Sequence, residues 1–332
     1  MNEPITVIIP AYNEESGIGG VIEHVGRVLN QTLIPHEVIV IDDGSTDQTS
    51  FVAQRSGARV IQHLRNRGYG AALKTGIKAA QHELIVITDA DGTYPLDRIS
   101  EIVDEMQIAD MVVGARTSQN ANSSLIRRPA KWMLKRLAEY ITEEAIPDLN
   151  SGLRAFRRKC VEQYLNILPD KFSFTTTLTV AMLCDNYRII YVPIDYYKRV
   201  GKSKIVPWDF VSFVALVLRL SMFFNPLKVF VPTSLICILL GGGKLLMDIV
   251  FAILRAEKLT FLILTQPIIS TTTVLLLLSG VQILLIGMMS DGLTRKIAQR
   301  MPSQYSSHSI ENINVSTAKS DDSTVKHTID NK

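Results

Sequence analysis

Two long apolar runs, residues 229–254 and about 261–289, constrain this chain more than any other feature. Each exceeds the roughly 20 residues that carry a helix across a hydrocarbon core, where a backbone must satisfy its own hydrogen bonds. Each is therefore read as a transmembrane helix. Lys198, Arg199, Lys202, Lys204, Arg219 and Lys228 precede the first run, Arg295, Lys296 and Arg300 follow the second, and the connecting loop offers only Arg255 and Lys258. Positive charge favours the cytoplasmic side, which puts both flanks there, with everything N-terminal to them. Lys244 and Asp248 lie one turn apart inside the first run, just after Gly241-Gly242-Gly243. They are expected to neutralise one another near the outer interface while the glycines allow close helix packing. Residues 208–224 are apolar and aromatic with Arg219 as their main charge, which suits a helix lying on a membrane surface. Beyond Pro302 polar residues dominate without an apolar period, as in a disordered tail. The expected division is a cytoplasmic domain over 1–206, an interfacial helix over 207–225, two spans over 226–290 and a cytoplasmic tail over 291–332.

The first two thirds alternate short β-branched runs with amphipathic stretches. Strands are expected at 6–9, 37–41, 59–62, 84–88, 111–114 and 188–192. Helices are expected near 17–29, 46–56, 70–81, 96–106 and 176–184, with a basic helix around Arg127, Arg128, Lys131, Lys135 and Arg136, and a turn into another strand at 148–154. Strands joined by helix-length crossovers imply an α/β fold with a doubly wound, mostly parallel sheet. The net charge of +3 on 332 residues is too small to argue for nucleic acid. Cys160, Cys184 and Cys237 show neither metal-ligand spacing nor a paired framework, which fits a reducing compartment. The N-terminus runs straight into Ile5-Thr6-Val7-Ile8-Ile9, so no cleaved signal peptide is expected.

In such sheets ligands bind beyond the carboxyl ends of the strands. Polar clusters fall there: Pro10-Ala11-Tyr12-Asn13-Glu14, Asp42-Asp43-Gly44-Ser45-Thr46-Asp47, and Thr88-Asp89-Ala90-Asp91-Gly92-Thr93. Asp89 and Asp91 sit two apart. On an extended backbone both side chains then point to one side, where they can share a hard divalent cation. The bland alternative is a strand-to-turn junction in which Asp serves loose backbone groups.

Several segments in ordered succession resemble the family 2 inverting glycosyltransferases of the GT-A fold. They are Ile8 to Glu15, Asp42 to Asp47, Asn66-Arg67-Gly68-Tyr69-Gly70-Ala71-Ala72, Asp89-Ala90-Asp91 and Val113-Gly114-Ala115-Arg116. Residues 148–156 and 192–204 look like the polyprenyl-phosphate branch that includes dolichyl-phosphate mannose synthase. The resemblance implies a metal-dependent hexosyltransferase at the cytoplasmic membrane face, taking a nucleotide sugar as donor and polyprenyl or dolichyl phosphate as acceptor, for glycan assembly. It implies donor contacts at Pro10, Ala11, Tyr12, Glu14, Asp42, Asp89, Ala90, Asp91 and Thr93, with Asp89 and Asp91 holding Mg²⁺ or Mn²⁺. Gly68 and Gly70 either admit the donor to the backbone or simply open a helix. Arg116, Arg128, Arg199, Lys202 and Lys204 would hold the acceptor phosphate, and Asp89, Asp91, Arg116 and Arg199 form the catalytic set. Asp148 and Arg154 are read as a supporting pair. Residues 172–177 offer no carboxylate of the kind that relatives with non-phosphate acceptors use, which favours a phosphate acceptor. The mannose-transferring relatives often continue the acidic motif with Leu-Gln where this chain has Gly92-Thr93. UDP-glucose or another UDP-hexose is thus at least as well supported as GDP-mannose. Transfer to a lipid hydroxyl such as diacylglycerol, and a non-catalytic nucleotide-sugar or lipid-binding membrane protein, are the alternatives. A homo-oligomer is left open.

Overall fold

A computed structural model of the chain describes residues 3–116, 128–171, 173–197, 222, 225–256 and 269–300. The β-branched runs form seven strands: β1 Ile5–Ala11, β2 His36–Asp42, β3 Arg59–Gln62, β4 Leu84–Ile87, β5 Met111–Arg116, β6 Arg154–Arg157 and β7 Ile189–Ile194. They make one sheet in the order β3-β2-β1-β4-β6-β5-β7. All neighbours are parallel except β6, which runs antiparallel to both β4 and β5.

The parallel strands are apolar on both faces because helices cover both. Ile5, Val7 and Ile9 of β1 and Leu84 and Val86 of β4 face one core, while Ile8, Ile85 and Ile87 face another. The first core is closed by α1 Ile18–Gln31 and α4 Ile99–Glu105, the second by α3 Tyr69–Ala79, α6 Arg158–Glu162 and α7 Phe174–Cys184. Helix α1 buries Ile18, Val21, Ile22, Val25, Val28 and Leu29, the three-and-four spacing of one helical face. At about 1.5–3 kcal/mol per buried aliphatic side chain, that stripe is ample to dock the helix. Short α2 Thr49–Arg55 follows β2, and α5 Arg128–Thr142 buries Leu134, Ala138 and Ile141 in a third, smaller cluster.

The antiparallel strand decides where the site lies. A parallel strand brings its carboxyl end to the ligand-binding edge, whereas β6 brings its beginning. Arg154, its first residue, pairs with Ile87 on β4 and with Val113 on β5. The turn 148–153 is thereby inserted between the end of β4 and the end of β5.

The chain divides into two units, Met1–Val229 and Phe230–Lys332. The apolar runs appear as two long helices, α8 Leu227–Ala256 and α9 Thr271–Arg300. Their stretches Leu227–Leu254 and Thr271–Leu293 are long and apolar enough to cross a membrane. A Cβ on Gly280 would lie 2.6 Å from Ile238 Cγ1 and 3.2 Å from the Ser234 carbonyl, and Ser234 Oγ donates to the Gly280 carbonyl at 2.8 Å. Only glycine permits that approach. Lys244 bonds Asp248 at 2.5 Å, and Asp248 Oδ2 also accepts from Ser270 N (3.0 Å) and Thr273 Oγ1 (2.7 Å), capping the start of α9. The expected charge neutralisation is present, with a capping role that the sequence did not announce. Helix α9 continues through 291–300, ten residues into the segment read as tail. The expected interfacial helix at 207–225, apart from Met222 and Asn225, and the tail from 301 lie outside the described residues.

Candidate active site

The acidic stretch follows β4 directly. Its two carboxylates are both half-buried and differently supported. Tyr69, the first residue of α3, donates its hydroxyl to Asp89 Oδ1 at 3.0 Å. Asp91 Oδ1 accepts from Thr93 Oγ1 (2.7 Å) and Thr93 N (3.2 Å), an Asx turn that fixes its rotamer. Thr93 is fully buried, so its hydroxyl serves Asp91. Among the described residues no group of three or more His, Cys, Asp or Glu side chains could hold a metal ion. Two carboxylates fit a hard divalent ion that takes its remaining oxygens from phosphates and water, as Mg²⁺ commonly does beside a nucleotide.

On the β1 and β2 side, Tyr12 and Glu14 are half-buried at the edge, while Pro10, Ala11 and Ala90 are buried. Asp42, expected to face a base or ribose, is 1% exposed and turned into the fold: Oδ1 accepts from Ser45 N at 2.8 Å and Oδ2 from Ser50 Oγ. It shapes its own turn. Its neighbour Asp43, also buried, accepts from His63 Nδ1 (2.7 Å), Arg67 N (2.9 Å) and Gly68 N (2.7 Å), which holds the loop between β3 and α3. Gly68 has φ +108°, and a Cβ on Gly70 would lie 2.2 Å from the Pro169 carbonyl. The segment 169–171 packs on this helix start, where Ala71 N donates to the Asp170 carbonyl at 2.9 Å. That packing explains the glycines without a donor.

On the other side of β6, Arg116 ends β5 and forms a two-pronged pair with Asp148: Nε to Oδ2 at 2.6 Å and Nη2 to Oδ1 at 2.8 Å. The arginine also sits over the Tyr196 ring, 5.2 Å from its centroid. Burial would raise the Asp148 carboxyl, but the Arg116 hydrogen bonds and charge, with the Asn150 and Arg116 backbone N–H groups, hold it below the usual range. Burial would equally lower the Arg116 guanidinium, and Asp148 more than offsets it.

Arg154 supports the same turn as Asp148, through contacts of its own. The side chain is completely buried and clamps the Ser151 carbonyl with Nε (3.1 Å) and Nη2 (2.6 Å), while Nη1 donates to Thr175 O (3.2 Å) and Thr179 Oγ1 (3.0 Å). Burial pulls its pKa down. It ties the 148–153 turn to α7, whose first turn carries no acidic residue and whose Thr176 hydroxyl donates to Asn150 Oδ1.

Of the expected acceptor residues the described structure thus positions Arg116. Arg128 begins α5, but its side chain lies outside the described residues, as do Arg199, Lys202 and Lys204. Tyr69, Tyr94, Tyr196 and Gly152 were not singled out from the sequence. A tyrosine after an acidic turn is usually core, and only the register of β6 brings these groups together.

Residues 6–165 match the family described as Glycosyl transferase family 2, and residues 225–295 match the GtrB C-terminal hairpin. The chain is similar to a dolichyl-phosphate hexose transferase of Haloferax volcanii, 29% identical over 62% of this chain and 88% of that one. It is 30% identical to an undecaprenyl-phosphate 4-deoxy-4-formamido-L-arabinose transferase of Serratia proteamaculans, over 49% of this chain and 51% of that one. Among solved structures, glucosyl-3-phosphoglycerate synthase from Mycobacterium tuberculosis, in complex with Mn²⁺, uridine diphosphate and glucosyl-3-phosphoglycerate, has a TM-score of 0.53 at 24% identity, over 66% of this chain and 80% of that one. That likeness establishes the GT-A fold.

Proposed function

We propose, starting from a chain that carries a family 2 glycosyltransferase domain joined to a GtrB C-terminal hairpin, that this protein transfers a hexose from a nucleotide sugar to a polyprenyl or dolichyl phosphate at the cytoplasmic face of a membrane. One observation carries the reading: paired carboxylates at the end of β4 and a preorganised arginine at the end of β5 flank the same turn, in a chain that continues into two membrane-length apolar helices.

The reaction is a displacement at the anomeric carbon. An oxygen of the lipid phosphate forms the new bond, and the bond to the nucleoside diphosphate breaks, its electron pair leaving with the diphosphate. Attack from the face opposite the leaving group inverts the centre. A phosphate is already ionised at neutral pH, so no strong general base is required, in keeping with the absence of a carboxylate in the first turn of α7. Asp89 and Asp91 would hold Mg²⁺ or Mn²⁺, which supplies charge neutralisation for the departing diphosphate. Tyr69 and Thr93 orient those carboxylates. Tyr12 and Glu14 line the donor edge, with Pro10, Ala11, Ala90 and buried Asp42 shaping the backbone beneath it. Arg116 presents a guanidinium to the acceptor phosphate, with Arg128, Arg199, Lys202 and Lys204 supplying further positive charge.

The donor is proposed as UDP-glucose or another UDP-hexose, with GDP-mannose as the competing choice. Membranes containing the full chain, incubated with lipid phosphate and a panel of radiolabelled nucleotide sugars, should pass label from one of them into the organic phase. No label from any donor would refute the reading.

A further inference from the structure

Around the 148–153 turn the contacts close on themselves. Gly152 N donates to the Tyr94 hydroxyl at 2.6 Å. The Tyr94 ring meets the Tyr196 ring edge-on, centroids 5.4 Å apart at 74°. Tyr196 lies under the Arg116 guanidinium, and Arg116 grips Asp148, which opens the same turn as Gly152. A second link runs from the strand: Tyr197 N donates to the Thr93 carbonyl at 2.9 Å, next to Tyr94 in the chain. Gly152 also touches the donor side directly, since a Cβ there would lie 2.7 Å from Asp89 Oδ2. Tyr94 is 4% exposed, too deep to reach a substrate, and it directly follows the Asx turn that Asp91 makes with Thr93.

We infer that Tyr94 is a positioning residue that sets the acceptor arginine relative to the donor carboxylates. This rests on the functional reading above and deepens it. The hydroxyl fixes Gly152, and through the turn Asp148; the ring fixes Tyr196, and through its face Arg116. The two routes reach an edge and a face of one guanidinium, so its orientation is overdetermined as long as Tyr94 keeps both ring and hydroxyl. The carboxylates also have holds of their own, Asp91 on Thr93 and Asp89 on Tyr69, beside the contact of Asp89 with Gly152. Removing the hydroxyl should therefore loosen the acceptor side more than the donor side. A phenylalanine at this position keeps the packing but leaves a buried N–H of the turn without its acceptor.

The test uses the full chain in phospholipid nanodiscs, with the nucleotide sugar selected by the panel and a polyprenyl phosphate as acceptor. Tyr94→Phe should raise KM for the polyprenyl phosphate about tenfold, while KM for the nucleotide sugar and the calorimetric affinity for nucleoside diphosphate with Mn²⁺ stay within about twofold. Tyr196→Leu breaks the ring route alone at a half-buried position and should raise the same KM severalfold. Added to Asp148→Asn, Tyr94→Phe should cost much less than it does alone, because both act on Arg116. Equal losses on the donor and acceptor sides, an unchanged acceptor KM in either variant, or full additivity with Asp148→Asn would overturn the inference while leaving the function intact. A wild-type protein without turnover that depends on lipid phosphate would overturn the function and this inference together.

Discussion

On the β3-β2-β1-β4 side of the sheet the turns at the strand ends are bonded to one another at many points: Asn13 N donates to Ser45 Oγ, Thr46 N to Asn13 Oδ1 and Gln48 N to Glu15 Oε2, joining the turns after β1 and β2. Asp42 serves Ser45 of its own turn and Ser50 of the following helix, Asp91 serves Thr93, and Asp43 holds a loop from the adjoining strand. On the β6-β5-β7 side almost every polar contact joins separate elements: Arg116 to Asp148, Arg154 to Ser151 and α7, Tyr94 to Gly152. The first arrangement gives a floor for an anionic donor held at many separate points, so no single contact decides its geometry. In the second, the orientation of a single arginine depends on long-range packing, so a distant substitution can move it.

Predictions follow the sizes of these dependences. Asp91→Ala should lower nucleoside diphosphate release about a thousandfold, or ~4 kcal/mol, with little change in thermal midpoint, since the Asx turn it makes with Thr93 is local. A large fall in melting temperature would show that Asp91 serves the fold more than the donor. Arg154→Leu removes a buried guanidinium and strands the Ser151 carbonyl, at a cost of about 3 kcal/mol in stability. In a unit of this size that is a fall of roughly 10 °C in its melting transition, read by scanning calorimetry. An unchanged transition would show that the turn is held by other means. Gly70→Ala places a methyl against the Pro169 carbonyl and should cost about 1–3 kcal/mol, with nucleotide affinity within about twofold; a selective loss of affinity would restore the donor-approach reading of that glycine.

The smallest effect is on acid stability. The Asp148 carboxyl lies below its ordinary value of about 3.9 when folded, so its contribution is complete above that pH and is lost as pH falls through the lower folded value. Asp148→Asn should flatten the dependence of the urea midpoint on pH below about 4 and leave the slope above pH 5 as it was. An unaltered acid limb would mean that the Arg116 pair adds nothing to stability in solution.

What the sequence revealed divides along the same line. The parallel strands, the covering helices and the acidic pair are legible because apolar runs and strand-end carboxylates are local signals. So are the two apolar helices, whose length alone demands explanation. The antiparallel course of β6 is not legible: Arg154-Ala155-Phe156-Arg157 is short, and nothing in it states which neighbours it takes. Everything that depends on that register was hidden with it, including the pairing of Asp148 with Arg116 and the encounter of Tyr94 with Gly152. The inward turn of Asp42 was hidden for another reason, since its partner Ser50 lies in the next helix.

The most direct measurement compares acceptors that differ only at the head group. The full chain in membranes receives the labelled nucleotide sugar, a divalent metal, and either a polyprenyl phosphate or the corresponding neutral polyprenol. Label should enter the lipid fraction with the phosphate and stay at background with the alcohol. Equal labelling of both would contradict a site built to hold an ionised acceptor.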